Sequence, residues 1–130
     1  MPTWQDLTSY VRSNYKIADE RPDLIKLIFE TGSLRSQMVL VTRETLMDGE
    51  EEWVTISSPV ANLGSVNLEE FLREVGGIVC GGAGLEGDVL VIKHAAPLLN
   101  LDINEFERPL RLVTMTADAL EKKLAGGDKY

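Results

Sequence analysis

Three consecutive segments of the chain alternate apolar and polar side chains with the two-residue period of a β-strand. They are LIKLIFE (24–30), QMVLVTRET (37–45) and EEWVTISS (51–58). In the first segment, Leu27 and Phe29 alternate with Lys26 and Glu30. Val39 and Val41 share one face of the second segment, and Val54 and Ile56 share one face of the third. Because short turns join the segments, they predict neighbouring antiparallel strands with one face in a core.

Turn residues separate these strands. Pro22, within the triplet 21–23, presets turn geometry before the first strand, and Gly32–Ser33 follows that strand. Asp48–Gly49 predicts a type I′ hairpin turn, because both central residues of such a turn need a positive φ. Pro59 lacks the amide that a strand ladder uses, so we expect the third strand to stop there.

Three further segments have the capping residues and apolar spacing of helices. They cover residues 3–14, 68–75 and about 102–125. Thr3, Asn67 and Asp102 are suitable N-caps, because their side-chain oxygens accept hydrogen bonds from free helical amides. Gly76 is predicted to end the second helix in the left-handed conformation, which glycine adopts without strain.

Two more strands are predicted, at 78–80 and at 88–96, and Pro97 ends the second. The element order is therefore α-β-β-β-α-β-β-α. An antiparallel β-sheet with helices at both termini and one between strands is the α+β solution for such an order. We expect a single α+β domain over residues 1–125 and a flexible tail at 126–130.

Apolar residues of the last helix repeat at spacings of three and four. The members are Ile103, Phe106, Leu110, Val113, Ala117, Leu120 and Leu124. Such a stripe either packs on the sheet of its own chain, as amphipathic helices ordinarily do, or docks on another chain. The second alternative makes Leu110, Val113, Ala117, Leu120 and Leu124 a partner or dimer interface. Pro109 lies within the stripe, so we expect a kink or a restart there.

The chain is acidic, with 13 lysine and arginine residues against 21 aspartate and glutamate residues and a formal net charge of −8. Phosphate groups repel such a surface, so neither nucleic acid nor an anionic membrane is expected as a partner. The sequence shows neither a signal peptide nor a long apolar run, which predicts a cytoplasmic protein of bacterial type. Cys80 is the only cysteine, so no internal disulfide is expected.

Gly82, Gly84 and Gly87 spell the G-x-G-x-x-G pattern of dinucleotide-binding proteins. That site needs a helix after the glycines, because the helix N-terminus holds the pyrophosphate. Here Asp88 and a predicted strand follow instead, and Asp88 also occupies the place where a phosphate-binding loop needs lysine. We therefore expect no nucleotide site, and a flexible glycine loop that connects two strands.

Cys80 and His94 are the one candidate pair for nucleophilic chemistry, since a hairpin would bring strand 78–80 beside strand 88–95. A reactive thiol needs a base and an electropositive setting, whereas free cysteine is more often a small buried residue. One thiol and one imidazole fall short of the four ligands of a zinc site. The acidic run Glu50–Glu52 is typical of a solvated loop. The sequence predicts no catalytic residue, cofactor or metal site.

Three stretches resemble the YbjN-type family, whose members are named as bacterial sensory transduction regulators. They are RPDLIKLIF, NLEEFLREVGGIVCGGAGLEGDVLVIKHAAPL and FERPLRLVTMTADALEKKL, and the resemblance runs from Trp4 to about Leu124. That family resembles the class I type III secretion chaperones in fold. The resemblance implies a non-enzymatic protein that binds other proteins, with a homodimer among the expectations, and it supplies no catalytic residue.

Two hypotheses follow. The first is a chaperone-like or regulatory module that binds a protein segment by strand addition or by helix docking. The alternative is a small enzyme or small-molecule binder that uses a pocket near Cys80 and His94.

Overall fold

The computed structural model describes residues 3–32 and 34–125. Within them the chain forms three α-helices and six β-strands. The elements in chain order are α1 (Trp4–Asn14), β1 (Ile17–Arg21), β2 (Leu24–Gly32), β3 (Arg35–Leu46), β4 (Glu51–Asn62), α2 (Leu68–Val75), β5 (Gly82–Glu86), β6 (Val89–Pro97) and α3 (Ile103–Leu120). A π-helical turn, Glu121–Ala125, continues α3. Ser33 of the expected turn and the expected tail at 126–130 lie outside the described residues.

The strands form one antiparallel sheet in the order β1-β2-β3-β4-β6-β5. The predicted α+β class is confirmed, with a helix before the strands, one between them and one after them. The sequence interpretation missed β1, whose residues IADER carry three charges and show no apolar alternation. It is nevertheless held against β2, and Pro22 and Asp23 form the turn between the two strands as expected.

The alternating segments are strands as predicted, and their apolar residues share one face. Val39 and Val41 of β3 lie opposite Leu27 and Ile25 of β2, and all four side chains are fully buried. Asp48 and Gly49 lie in the turn between β3 and β4 and both have a positive φ, as predicted. The predicted two-residue type I′ turn is wrong, because residues 47–50 connect Leu46 to Glu51 through a 3₁₀ turn in which Met47 also has a positive φ.

The prediction that Pro59 ends its strand is wrong, because β4 continues to Asn62. The β3–β4 ladder reaches only to the Leu40–Ser57 pair, so the missing amide of Pro59 is not required there. At this point the side-chain amide of the buried Gln37, in β3, connects β3 to β4. Its Nε2 donates to the Pro59 carbonyl at 2.6 Å and to Ser58 Oγ at 2.8 Å.

The helices begin where their caps predict. The side chains of Thr3, Asn67 and Asp102 each accept a hydrogen bond from the backbone amide three residues later. The prediction of a left-handed Gly76 is wrong, since its φ is −61°. The N–H of Gly76 donates to the Leu72 carbonyl at 3.0 Å, and the next two backbone amides donate to carbonyls three residues earlier. The α2 helix therefore ends in a turn with the tighter 3₁₀ hydrogen-bond pattern.

The apolar stripe of α3 packs on the chain's own sheet. Leu110, Val113, Ala117 and Leu120 are buried in the same core as the strands, and Leu124 is partly buried against it. Of the two alternatives for this stripe, the structure therefore shows packing within the chain. The helix is assigned without a break through Pro109, so the restart considered for that position does not occur.

All three helices contribute to this one core. Trp4, Leu7 and Val11 of α1, Phe71 of α2 and the α3 stripe pack with the apolar face that β2, β3, β4 and β6 share. We call this face the inner face and the opposite one the outer face. In the part of the chain that the structure describes, no helix is both long and apolar enough to cross a membrane.

Candidate functional site

The glycine-rich segment is a strand rather than a connecting loop, which corrects the sequence interpretation. Gly82–Glu86 forms β5 and pairs with β6, whereas residues 78–80, predicted as a strand, are irregular. Gly81 requires glycine, because its φ is +96° and an added Cβ would lie 3.1 Å from Ile92 Cγ2. The sequence interpretation placed the strand too early because IVC is apolar and glycine disfavours strands.

The three glycines of the dinucleotide pattern lie in a hairpin. Gly82 and Gly84 belong to β5, and Gly87 with Asp88 forms the two-residue turn to β6. Gly87 has a φ of +60°, whereas the φ of Asp88 is not positive. This combination fits a type II′ turn, which has glycine at its first central position. Because a strand follows the glycines, no helix N-terminus faces this turn to receive a phosphate.

The structure brings Cys80 and His94 together. Cys80 Sγ lies 3.8 Å from His94 Nδ1, and the loop before β5, not a strand, carries the thiol there. Burial raises the pKa of the Cys80 thiol above its ordinary value. A nucleophilic cysteine needs the opposite shift, because the thiolate is the reactive form. The geometry of a thiol–imidazole pair is thus present without the thiol activation that it would need.

The acidic residues of the β3–β4 hairpin are used locally. Glu52 pairs with Arg43 at 2.6 Å, and Glu51 accepts a hydrogen bond from the Trp53 indole at 3.2 Å. Among the described residues, no group of three or more histidine, cysteine, aspartate or glutamate side chains is placed to hold a metal ion.

A cleft of about 280 Å³ lies between β2 and α3 and was not anticipated from the sequence. Its lining residues are Tyr15, Phe29, Glu30, Thr31, Glu107, Leu110, Arg111, Thr114 and Met115. Neither Cys80 nor His94 lines this cleft, so the pocket expected beside that pair is not the one found. Its residues come from distant parts of the chain, and only the fold brings them together.

A carboxylate is held in place at the wall of this cleft. The Tyr15 hydroxyl donates to Glu107 Oε2 at 2.5 Å. Hydrogen bonds from Tyr15 and Tyr10 lower the pKa of Glu107, and burial together with this bond raises the pKa of Tyr15. Thr31 Oγ1, also at the cleft, is buried and has no hydrogen-bond partner among the described residues. The cleft can hold a small apolar group beside one fixed negative charge.

The outer face of the sheet carries a row of apolar residues that crosses the strands. Ile28 lies opposite Met38, and Val91 lies opposite both Pro59 and Gly84. Continuing the β3–β4 register places Pro59 beside Met38, where Ser58 Oγ donates to the Met38 carbonyl. We call these five residues the apolar row.

The apolar row is separate from the core and lies on a face that carries no helix of the described chain. Val91 is buried, yet it does not belong to the core cluster that contains its neighbours Leu90 and Ile92. Ile28, at the β2 end of the row, keeps 51% of its surface exposed. Met38 and Gly84 are partly exposed and Pro59 is buried, so the row is in contact with water mainly at its β2 end, where an outward apolar side chain departs from the polar pattern of a solvated face.

No known family model matches this chain, and no curated protein matches it significantly. The candidate surfaces therefore have to be judged by their geometry and chemistry.

Proposed function

We propose that this chain is a non-enzymatic, protein-binding module of chaperone-like or regulatory type, acting in the bacterial cytoplasm. The observation that carries the proposal is the exposed β2 end of the apolar row, where Ile28 is half-exposed and Met38 is partly exposed, whereas Pro59 and Val91 farther along the row are buried. Exposed apolar surface on a soluble domain commonly marks a contact with another macromolecule. Ile28, with half of its surface in water, is the residue at which a partner would remove most apolar area.

The electrostatics favour a polypeptide partner. A net charge of −8 opposes phosphate-bearing partners and attracts basic protein segments. The resemblance to the YbjN-type and secretion-chaperone families supports the same class of function. The raised pKa of Cys80 weighs against the alternative of a thiol enzyme.

The test compares three forms of the protein as affinity baits in lysate of the native organism. Ile28→Glu places a charge in the apolar row, and Leu112→Glu is the matched control. Leu112 lies on α3, away from the outer face, and is similarly exposed at 41%. A specific partner is identified by mass spectrometry, purified, and measured by calorimetry against each form.

We expect Ile28→Glu to weaken that purified complex at least about tenfold, since a buried unpaired charge opposes an apolar contact. Leu112→Glu should bind like the wild type. Equal binding by both variants, or no specific partner at all, would overturn the proposal.

A further inference from the structure

Strand β5 leaves one edge of the sheet open. Because a two-residue turn joins the strands, Glu86 and Val89 form a hydrogen-bonded pair. Hydrogen-bonded and non-hydrogen-bonded pairs alternate along an antiparallel ladder, so the N–H and C=O groups of Gly82, Gly84 and Glu86 point toward β6. The N–H and C=O groups of Ala83 and Leu85 point away from the sheet. Both residues are exposed, and their outward groups bond to no other described residue.

The opposite edge of the sheet is protected. Strand β1 carries Asp19, Glu20 and Arg21, a register shift interrupts its pairing after Ile17, and Glu20 is paired with Arg12 of α1. Edge charges and bulges of this kind prevent unwanted strand pairing. Strand β5 has none of these devices over residues 82–85, and its only charge is at Glu86. The chain thus blocks one edge and leaves the other open.

The apolar row ends at this open edge. Gly84 is its last member, and beside Gly84 lie the Val91 side chain and the aliphatic stem of Lys93. A residue of an added strand that faces Gly84 would extend the row by one position. Because glycine has no side chain, an aromatic ring opposite an edge glycine covers its bare backbone and contacts the neighbouring groups.

The inner side of the same edge is also apolar. Leu85 is 53% exposed, and Leu72 of the adjacent helix α2 is half-exposed. Val79, in the loop that leads into β5, is fully exposed. An added strand would therefore meet apolar side chains on both of its faces.

Charge selects between a foreign segment and a second copy of this chain. Glu86 and Asp88 lie at the C-terminal end of β5 and form no ion pair with the described residues, and the exposed Lys93 of β6 lies opposite Gly82 at the other end. A second copy would bring the same carboxylates and another net charge of −8. A basic residue at the end of an incoming segment that lies beside Glu86 and Asp88 would instead be attracted.

We propose that β5 is the docking edge for an extended segment of a partner protein, which joins the sheet as a seventh strand. The segment carries an aromatic residue opposite Gly84 and a basic residue at the end that lies beside Glu86. This inference rests on the proposed protein-binding function and specifies how the partner is held. Backbone hydrogen bonds to Ala83 and Leu85 supply the attachment, and the glycine supplies the preference for an aromatic ring.

The probe is a capped synthetic peptide, Lys-Thr-Val-Thr-Phe-Thr-Val-Lys, titrated into the ¹⁵N-labelled full chain. We expect saturable binding with a Kd below about 1 mM and amide shifts centred on Ala83 and Leu85. Replacing the peptide's phenylalanine with alanine should weaken binding about tenfold. Raising the salt concentration should also weaken binding of the original peptide, because one terminal lysine faces Glu86 and Asp88.

The variant test uses Ala83→Pro with Ala83→Thr as its matched control. Proline at 83 removes an N–H that points outward and leaves the β6 ladder intact, so the fold should persist. Ala83→Thr keeps that N–H. We expect the proline variant alone to lose peptide binding, and the unchanged amide spectrum of β6 to confirm that the sheet is formed.

Two outcomes would overturn the inference. One is the absence of saturable shifts at residues 82–86, or equal binding by Ala83→Pro and Ala83→Thr. The other is a dimer in sedimentation equilibrium that Ala83→Pro dissociates, since a second copy would then occupy the edge. If the peptide does not bind at β5 while Ile28→Glu still abolishes partner binding, the strand-docking inference is wrong and the proposed function stands. Peptide binding at β5 without any effect of Ile28→Glu would overturn the outer-face proposal instead.

Discussion

The hydroxyl of Tyr15, directly after α1, donates to the carboxylate of Glu107 in α3 across 92 positions of sequence, at 2.5 Å. The ring of Tyr15 also packs edge-to-face against Phe29 of β2. One side chain thus connects the first helix, the sheet and the last helix. Tyr15→Phe keeps the ring and removes the hydrogen bond. We expect it to lower the free energy of unfolding by about 1 kcal/mol, measured by urea denaturation. No change would mean that water replaces the bond without cost.

Glu107 makes the stability of the protein depend on pH in a defined direction. Its pKa in the folded protein lies below the ordinary value of 4.5, because Tyr15 and Tyr10 hydrogen-bond to its charged form. A group with a lowered folded pKa stabilises the protein above its unfolded pKa, and this contribution disappears as the pH falls through the folded value. The stability difference between wild type and Glu107→Gln should therefore be present at pH 7 and shrink below about pH 4.5. A difference that stays constant down to pH 3 would contradict this prediction.

Gly81 and Gly76 should respond in opposite ways to alanine. Gly81→Ala forces a side chain onto a φ of +96° and into contact with Ile92, so we expect a loss of about 1–3 kcal/mol. Gly76 has helical geometry, with ordinary space for a Cβ, so Gly76→Ala should be neutral or stabilise by up to about 1 kcal/mol. Thermal denaturation of both variants checks the pair. Equal losses would show that the backbone of one of them differs from the structure.

Leu120 tests whether the α3 stripe is core. It is 6% exposed, so Leu120→Asp should cost about 3 kcal/mol or more, because a carboxylate enters an apolar site. Leu112→Asp, on the exposed side of the same helix, should cost less than about 1 kcal/mol. Denaturation is measured together with solution mass. A stable, folded Leu120→Asp protein of reduced mass would mean that the stripe joins two chains.

Cys80 should behave as an unactivated thiol. Since burial raises its pKa, the rate of alkylation by iodoacetamide should have a midpoint above about pH 8.5. His94→Gln, which removes the neighbouring imidazole, should leave that profile unchanged. A midpoint below pH 7.5 that depends on His94 would restore the hypothesis of a nucleophilic site.

Local signals predicted much of the fold. Thr3, Asn67 and Asp102 cap their helices because capping needs only a side chain and an amide three residues away. Alternation found β2, β3 and most of β4 because the apolar residues of each strand share the inner face, although β4 is buried on both faces over residues 54–61. These features depend on neighbours in sequence, which a single chain displays directly.

The departures arise where distant residues decide the structure. Pro59 stays inside β4 because Gln37, 22 positions earlier, bonds to its carbonyl. β5 forms although it contains Gly82 and Gly84, and glycine disfavours strands, because β6 provides a strand for it to pair with. The apolar row could not be predicted from the sequence, since Ile28 and Val91 come into line only through the registers of three strand pairs. The cleft beside Glu107 depends in the same way on packing between α1, β2 and α3.

The position of α3 along the chain has a consequence for synthesis on the ribosome. This helix covers β2, β3, β4 and β6, yet it follows all six strands in sequence. Translation therefore produces every strand of the apolar inner face before α3, and the part of that face that α3 covers stays exposed on the nascent chain until Ile103–Leu120 has left the exit tunnel. A chain truncated before Ile103 would retain the strands and lose the helix that shields them, which makes it a substrate for aggregation and for the chaperones that bind unfinished chains.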